Sequence, residues 1–326
     1  MNKKTRIKVI FLVCMIALSF SGIVWGIEFP EKEIEFWVSY APGGAQDMVA
    51  RSLAPKMAEV LGKQMIIVNK PGGSGIYCTT LLSRTKPDGY TIQVGATSAL
   101  LVAPNLQKLD YNPLTDFTYI GAMAVQPSMV FVRTESPWKT IEELLDYAKK
   151  NPKKIKYGTW GMHSGGHFAM ESIGKEKSIE WGHVPFKGDG PCVTAALGGH
   201  IDVGVTAAGH APFVRAGKFR GLLMLQNRRS KSFPDIPCLK DVKLNYNPIG
   251  ITEGITGIIA PKGLPPEIQK KLEAALGEAI KDSRYLNAEK NLGLEPFVMF
   301  GDEFQKWVET SFKNVKESVS FLGFKE

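Results

Sequence analysis

Three loops carry the residue types that could hold a small anion. The first, Ser39-Tyr40-Ala41-Pro42-Gly43-Gly44-Ala45-Gln46-Asp47, joins an apolar strand-like run to an amphipathic stretch. Its glycines let the backbone approach a ligand, and N–H groups at a helix start attract negative charge. Tyr40, Gly44, Gln46 and Asp47 are the candidates here; the plainer alternative is a tight turn with Asp47 as an N-cap. The second loop, Gly95-Ala96-Thr97-Ser98-Ala99-Leu100, converges the hydroxyls of Thr97 and Ser98 with free amides and no charged residue. Hydrogen bonds to a charged group are worth ~1.5 to 3 kcal/mol each, so three or four retain a carboxylate without an arginine. Helix capping by Thr97 or Ser98 is the competing explanation.

The third loop, Tyr157-Gly158-Thr159-Trp160-Gly161-Met162-His163-Ser164-Gly165-Gly166-His167, offers Trp160, His163, Ser164 and His167. The i, i+4 histidines have metal-like spacing, but Gly165 and Gly166 interrupt a regular helix and Ser164 stands where a zinc protease needs Glu. No matched Asp/Glu or Cys set accompanies them, so no metal or other cofactor is expected. Ser164 with His163 or His167 could form a nucleophile and base, the basis of a rival reading as a secreted hydrolase, although no oriented acid is evident. Gly72-Gly73-Ser74-Gly75 is followed by Ile76 and so is not a nucleophile elbow, a Walker loop or a dinucleotide fingerprint.

Strand-like apolar runs alternate with helical periodicity and would position these loops. Runs at 34–38, 65–68 and 90–94 flank an amphipathic stretch carrying Val49, Leu53, Met57 and Leu61 and a second helical stretch at 76–82. A further set follows at 128–132, 155–157, 201–205 and 219–225, with helices at 140–149, around 168–173 and ending near 197. Thr140 with Glu143 reads as a capping box. After a run at 257–260, Pro265 and Pro266 open a helix carrying Ile268, Leu272, Leu276 and Ile280; another from about 302 carries Phe304, Trp307, Val308, Phe312, Val315 and Val319. This alternation predicts βαβ units and mostly parallel sheets.

The amino terminus sets the compartment. Lys3, Lys4, Arg6 and Lys8 precede an apolar run at 9–18 and small residues up to Gly26, the pattern of a secretory signal peptide over residues 1–26. The run is too short to span a membrane, which takes ~20 apolar residues. A periplasmic chain of about 300 residues is expected. The formal charge of +8 falls by these four basic residues to +4, and no basic run interleaved with aromatics points to nucleic acid. Cys78, Cys192 and Cys238 remain beyond the leader, allowing one disulfide at most, with buried free thiols as the default.

These loops and their order resemble the receptors of tripartite tricarboxylate transporters, the Tct-type or Bug extracytoplasmic solute receptors. The resemblance runs through Tyr40-Ala41-Pro42-Gly43-Gly44 with Asp47, Val68-Asn69-Lys70-Pro71-Gly72-Gly73-Ser74-Gly75 and Pro87-Asp88-Gly89-Tyr90-Thr91. It continues in His183-Val184-Pro185-Phe186-Lys187-Gly188, Leu197-Gly198-Gly199-His200-Ile201-Asp202-Val203 and Ala260-Pro261-Lys262-Gly263. It implies an α/β, two-lobed periplasmic-binding-protein-like fold, with lobe 1 from 27–123 plus 247–326, lobe 2 from 124–246 and the ligand between them. It also implies a non-enzymatic receptor that holds an organic acid, a di-, tri- or aromatic carboxylate, by backbone amides, hydroxyls and ordered waters and passes it to membrane permease subunits, with a monomer as the default expectation. Presentation of the ligand to a sensor kinase is a further possible role. Tyr40, Gly44, Gln46, Asp47, Thr97 and Ser98 would form one wall of the cleft and Ser164 and His167 the other, while Trp160 could stack on the acid or pack under the loop. The family's second-lobe strand often ends in an Asp-Asn pair; here Thr206 and Ala207 occupy those positions.

Overall fold

The computed structural model describes residues 28–95, 97–244 and 253–322. The expected signal peptide and the expected chain crossing near 247 lie outside these residues. Two sheets flanked by helices make up the molecule. The chain begins with β1 (Ile34–Val38), α1 (Ala45–Leu61), β2 (Met65–Asn69), α2 (Ile76–Ser83) and β3 (Thr91–Gly95). A π-helical turn, Ser98–Val102, leads into α3 (Ala103–Leu106) and then β4 (Phe117–Pro127). The second sheet is built from β5 (Met129–Arg133), α4 (Ile141–Lys150), β6 (Lys156–Thr159), α5 (Gly165–Lys177), β7 (Gly182–Pro185), α6 (Asp189–Leu197), β8 (Val203–Thr206), α7 (Ala211–Arg215) and β9 (Phe219–Met224). The chain returns to the first sheet through β10 (Glu253–Pro261), α8 (Pro266–Ala279), α9 (Ser283–Leu292), β11 (Glu295–Phe300) and α10 (Gly301–Leu322).

Strand order is β11-β4-β10-β3-β1-β2 in the first sheet and β7-β6-β8-β5-β9 in the second. β1, β2 and β3 run parallel, as do β6, β7 and β8, whereas β10 and β11 oppose β4, and β5 opposes both β8 and β9. Four strands of each sheet point one way, but four of the nine strand pairs among the described residues are parallel and five antiparallel, so both sheets are mixed, with β5, β10 and β11 running against their neighbours. The chain passes between sheets at Ser128: β4 stays paired with β10 as far as Pro127, four residues beyond the boundary expected at 123/124.

The elements follow from their patterns. α1 buries Val49, Leu53 and Met57 completely on one face, each worth about 1.5 to 3 kcal/mol relative to exposure, and packs against α8 and α9. It stops at Gly62, whose φ of 74° lets its N–H reach Ala58 O, a left-handed cap that costs glycine nothing. α4 starts where expected: Thr140 accepts from Glu143 N–H at 3.3 Å, and Glu143 reaches back to Lys139 N–H at 2.6 Å. β4 has almost no exposed residue and packs beneath α10. Its continuous burial erases the alternation that would have signalled a strand. Cys78, Cys192 and Cys238 are free and buried.

Candidate functional site

The parallel strands of both sheets present their carboxyl ends to one cleft, the place where open α/β sheets bind ligands. It contains about 450 Å³ of unfilled space, counting what is continuous with solvent. Tyr40, Gly44, Ala45 and Gln46 enter after β1, and Thr97 and Ser98 after β3. Trp160 follows β6, Asp189 follows β7 and Ala207 follows β8. Gln126 and Ser128 line the crossing, and Gly254 comes from β10.

Two helix starts face each other here. Gly44 is the N-cap of α1 and Gly188 that of α6, and a Cβ on Gly190 would stand 3.2 Å from Gly43 C and 3.3 Å from Gly44 N. A side chain there would press on the facing backbone, so glycine suits this close approach. The first N–H groups of each helix have no acceptor inside it, so the cleft receives two positive helix ends.

Asp189 is the acid among the lining residues, 6 % exposed. Its carboxylate accepts the N–H groups of Ala207, Ala208 and Gly209 at 3.3, 3.1 and 3.1 Å, which ties α6 to the end of β8. Burial holds its carboxyl above the usual range despite these bonds. Tyr40 donates its hydroxyl to Ser74 O at 3.1 Å, and burial together with the charge of Asp189 keeps the phenol protonated. Thr97 clips the loop to β10: its Oγ1 accepts from Ile255 N–H and donates to Ile255 O, both at 2.9 Å.

The two lobes touch across the cleft. Trp160 Nε1 donates to Ser98 Oγ at 3.3 Å, Ala41 N–H donates to Lys187 O at 3.0 Å, and Ser74 Oγ donates to Met162 O.

Six of the expected residues meet in the cleft: Tyr40, Gly44, Gln46, Thr97, Ser98 and Trp160. Five do not line it. Asp47 turns back into its own loop, where it accepts from Gly43 N–H at 3.0 Å, Arg51 Nε at 2.9 Å and Asn69 Nδ2 at 2.9 Å. Asn69 Nδ2 also reaches Tyr40 O at 3.0 Å, so Asp47 fixes the loop from behind. Burial would raise its carboxyl pKa, but the bonds from Arg51, Gly43 and Asn69 outweigh that and lower it. Thr206 is fully buried and faces His210 Nδ1 at 2.9 Å; its neighbour Ala207 lines the cleft instead.

Ser164, wholly buried, is the N-cap of α5: its Oγ accepts from the His167 backbone N–H at 3.2 Å. His167 Nδ1 is occupied by the His163 backbone N–H at 3.2 Å, and the His167 ring stacks on His183 with centroids 4.1 Å apart. Burial, then the adjacent imidazoles, lower the pKa of His167 to about 4 and that of His183 to about 3. Ser164 and His167 therefore meet through a capping bond to the backbone, not through a nucleophile–base pair. No group of three or more His, Cys, Asp or Glu that could hold a metal occurs among the described residues.

Ala45, Gln126, Ser128, Asp189, Ala207 and Gly254 were not anticipated. The signal available for Asp189 was its place between two glycines just after a strand, a weak cue for a carboxylate whose partners lie 18 to 20 residues away.

Similarity to known proteins agrees with this arrangement. The chain is 32 % identical over 297 residues to the UPF0065 protein in the gbd 5' region of Cupriavidus necator, covering 91 % of this chain and 89 % of that one. The solved periplasmic binding protein BugD superposes with a TM-score of 0.84 at 28 % identity, over 91 % of this chain and 99 % of that one. MatC from Rhodopseudomonas palustris, solved with bound malate, superposes with a TM-score of 0.80 at 26 % identity, over 89 % and 100 %. The solved neighbours thus include a periplasmic binding protein and, from Polaromonas, a TctC solute binding protein. The family model described as tripartite tricarboxylate transporter family receptor matches residues 49–323, and the chain belongs to that family.

Proposed function

We propose that the protein captures a small organic carboxylate between its lobes in the periplasm and delivers it to the integral membrane permease subunits of a tripartite transporter. The observation that carries this reading is the convergence of the α1 and α6 amino termini on a cleft lined by hydroxyls, amides and one carboxylate, that of Asp189, which three backbone N–H groups already match, without a cationic side chain. Such a lining favours an anion through N–H groups and helix ends. The malate held by the related MatC supports the substrate class. Contacts such as Trp160 to Ser98 exist only when the lobes meet, so a ligand that touches both walls shifts the molecule toward the closed form. Closure is what a permease would read.

The test is accumulation of labelled carboxylates by cells with and without this chain. Loss of uptake on deletion, restored by the wild type but not by a Ser98→Trp variant that fills the cleft, is expected. Unchanged uptake of an acid that the purified protein binds tightly would sink the delivery role.

A further inference from the structure

One acceptor lining the cleft has no donor among the described residues. Gln46 is 7 % exposed, and its Oε1 is buried without a hydrogen-bond partner. Turning the amide round does not cure this. Nε2 donates to Gly95 O at 3.1 Å, and a flipped amide would set Oε1 against that carbonyl oxygen, acceptor to acceptor. The end of β3 therefore fixes which way the amide points, and an acceptor is held ready beside the first turn of α1. A buried acceptor left unmatched is unfavourable. A ligand that brings a donor gains what a ligand without one does not.

The surroundings select the kind of donor. An ammonium group needs a charged acceptor, and the acid lining the cleft, Asp189, has three of its about four lone-pair sites taken by the N–H groups of Ala207, Ala208 and Gly209. β8 ends at Thr206 with Ala207 after it, and neither supplies a second one. A hydroxyl is neutral, costs less to desolvate than an ammonium and matches the neutral amide oxygen. The N–H groups that would receive the carboxylate belong to Gln46 and its neighbours at the start of the same helix. The hydroxyl must then sit close to the carboxylate.

We infer that the ligand is a hydroxycarboxylate whose hydroxyl donates to Gln46 Oε1, and that Gln46 distinguishes it from the unsubstituted acid. The inference rests on the carboxylate reading proposed above. Isothermal titration of the mature chain with matched pairs tests it: lactate and propionate, malate and succinate, 2-hydroxyglutarate and glutarate, mandelate and phenylacetate, with aspartate and glutamate as amino analogues.

The expected result is that, in the pair of fitting size, the hydroxy acid binds about ten- to a hundredfold tighter than its partner. Gln46→Met, which keeps the bulk and removes the acceptor, should bring the ratio close to one. Equal binding within every pair, or preference for the amino analogue, overturns the hydroxyl assignment while leaving carboxylate capture standing. Silence across all the acids overturns both.

Discussion

Trp160 donates its indole N–H to Ser98 Oγ at 3.3 Å, joining the loop after β6 to the turn after β3 across the cleft. A net hydrogen bond contributes about 0.5 to 1.5 kcal/mol, and this one forms only when the lobes meet. Trp160→Phe and Ser98→Ala should each weaken ligand binding by roughly two- to tenfold. The double variant should be no weaker than the sum less the shared bond. A double-mutant cycle by calorimetry measures this coupling; strictly additive losses would mean that the contact plays no part in closure.

Asp47 should matter for positioning although it does not line the cleft. Asp47→Ala removes the acceptor for Gly43, Arg51 and Asn69 and leaves the half-buried Asn69 amide with one acceptor fewer. A stability loss of about 1 to 3 kcal/mol is expected, together with weaker ligand binding because the α1 amides lose their fixed direction. Arg51→Met should cost less, below about 1 kcal/mol, since the Arg51 side chain is 53 % exposed and its ion pair is screened by solvent. Thermal unfolding paired with ligand titration separates the two effects.

Ser164 is a cap, and its loss should behave accordingly. Ser164→Ala should destabilise the protein by about 1 kcal/mol, read as a drop of a few degrees in Tm, with ligand affinity unchanged within about twofold. Ser164→Thr should recover most of the loss. Turnover of an ester or amide that Ser164→Ala abolishes would revive the hydrolase reading.

Acid should destabilise the second lobe through its histidines. Imidazoles in an unfolded chain titrate near 6.5, whereas His167 titrates at about 4 and His183 and His210 at about 3 in the folded protein. Burial is the first cause in each case, aided by neighbouring imidazoles or, for His210, by Arg215. Between these values and 6.5 the unfolded chain binds more protons, so this stability is fully present above pH 6.5 and declines as pH falls toward 4. Tm should therefore fall between pH 7 and 4.5. His183→Phe, which keeps the ring stacked between Tyr157 and His167, should flatten part of that fall. A slope identical to the wild type would contradict the assignment.

The fold was more legible than the site. Local patterns carried α1, α4, α8 and α10, because each buries one face or bears its own cap, and β1 as a short apolar run ahead of a glycine-bearing loop. β4 escaped because its burial is continuous, and β7, α9 and β11 are short or mostly polar stretches without clear period. At the site, the loops after β1 and β3 declared themselves through glycines and hydroxyls at strand ends. The loop after β6 has the same look, yet only Trp160 reaches the cleft, because Ser164 spends its hydroxyl on the start of α5 and His167 stacks on His183. Asp189, Gln126 and Ser128 reach the cleft through the sheet crossing and through amides distant in sequence, which no local window contains.

The most direct test of carboxylate capture is a thermal-shift titration of residues 27–326, expressed without the leader expected from the sequence, against a panel of organic acids, amino acids and divalent metals. One carboxylate or a small related group should raise Tm in a saturable way, adding ~2.7 kcal/mol at 100 times its dissociation constant. The shift should be lost in a Ser98→Trp variant that remains folded. No response to any acid, or a response to metal alone, would contradict the account.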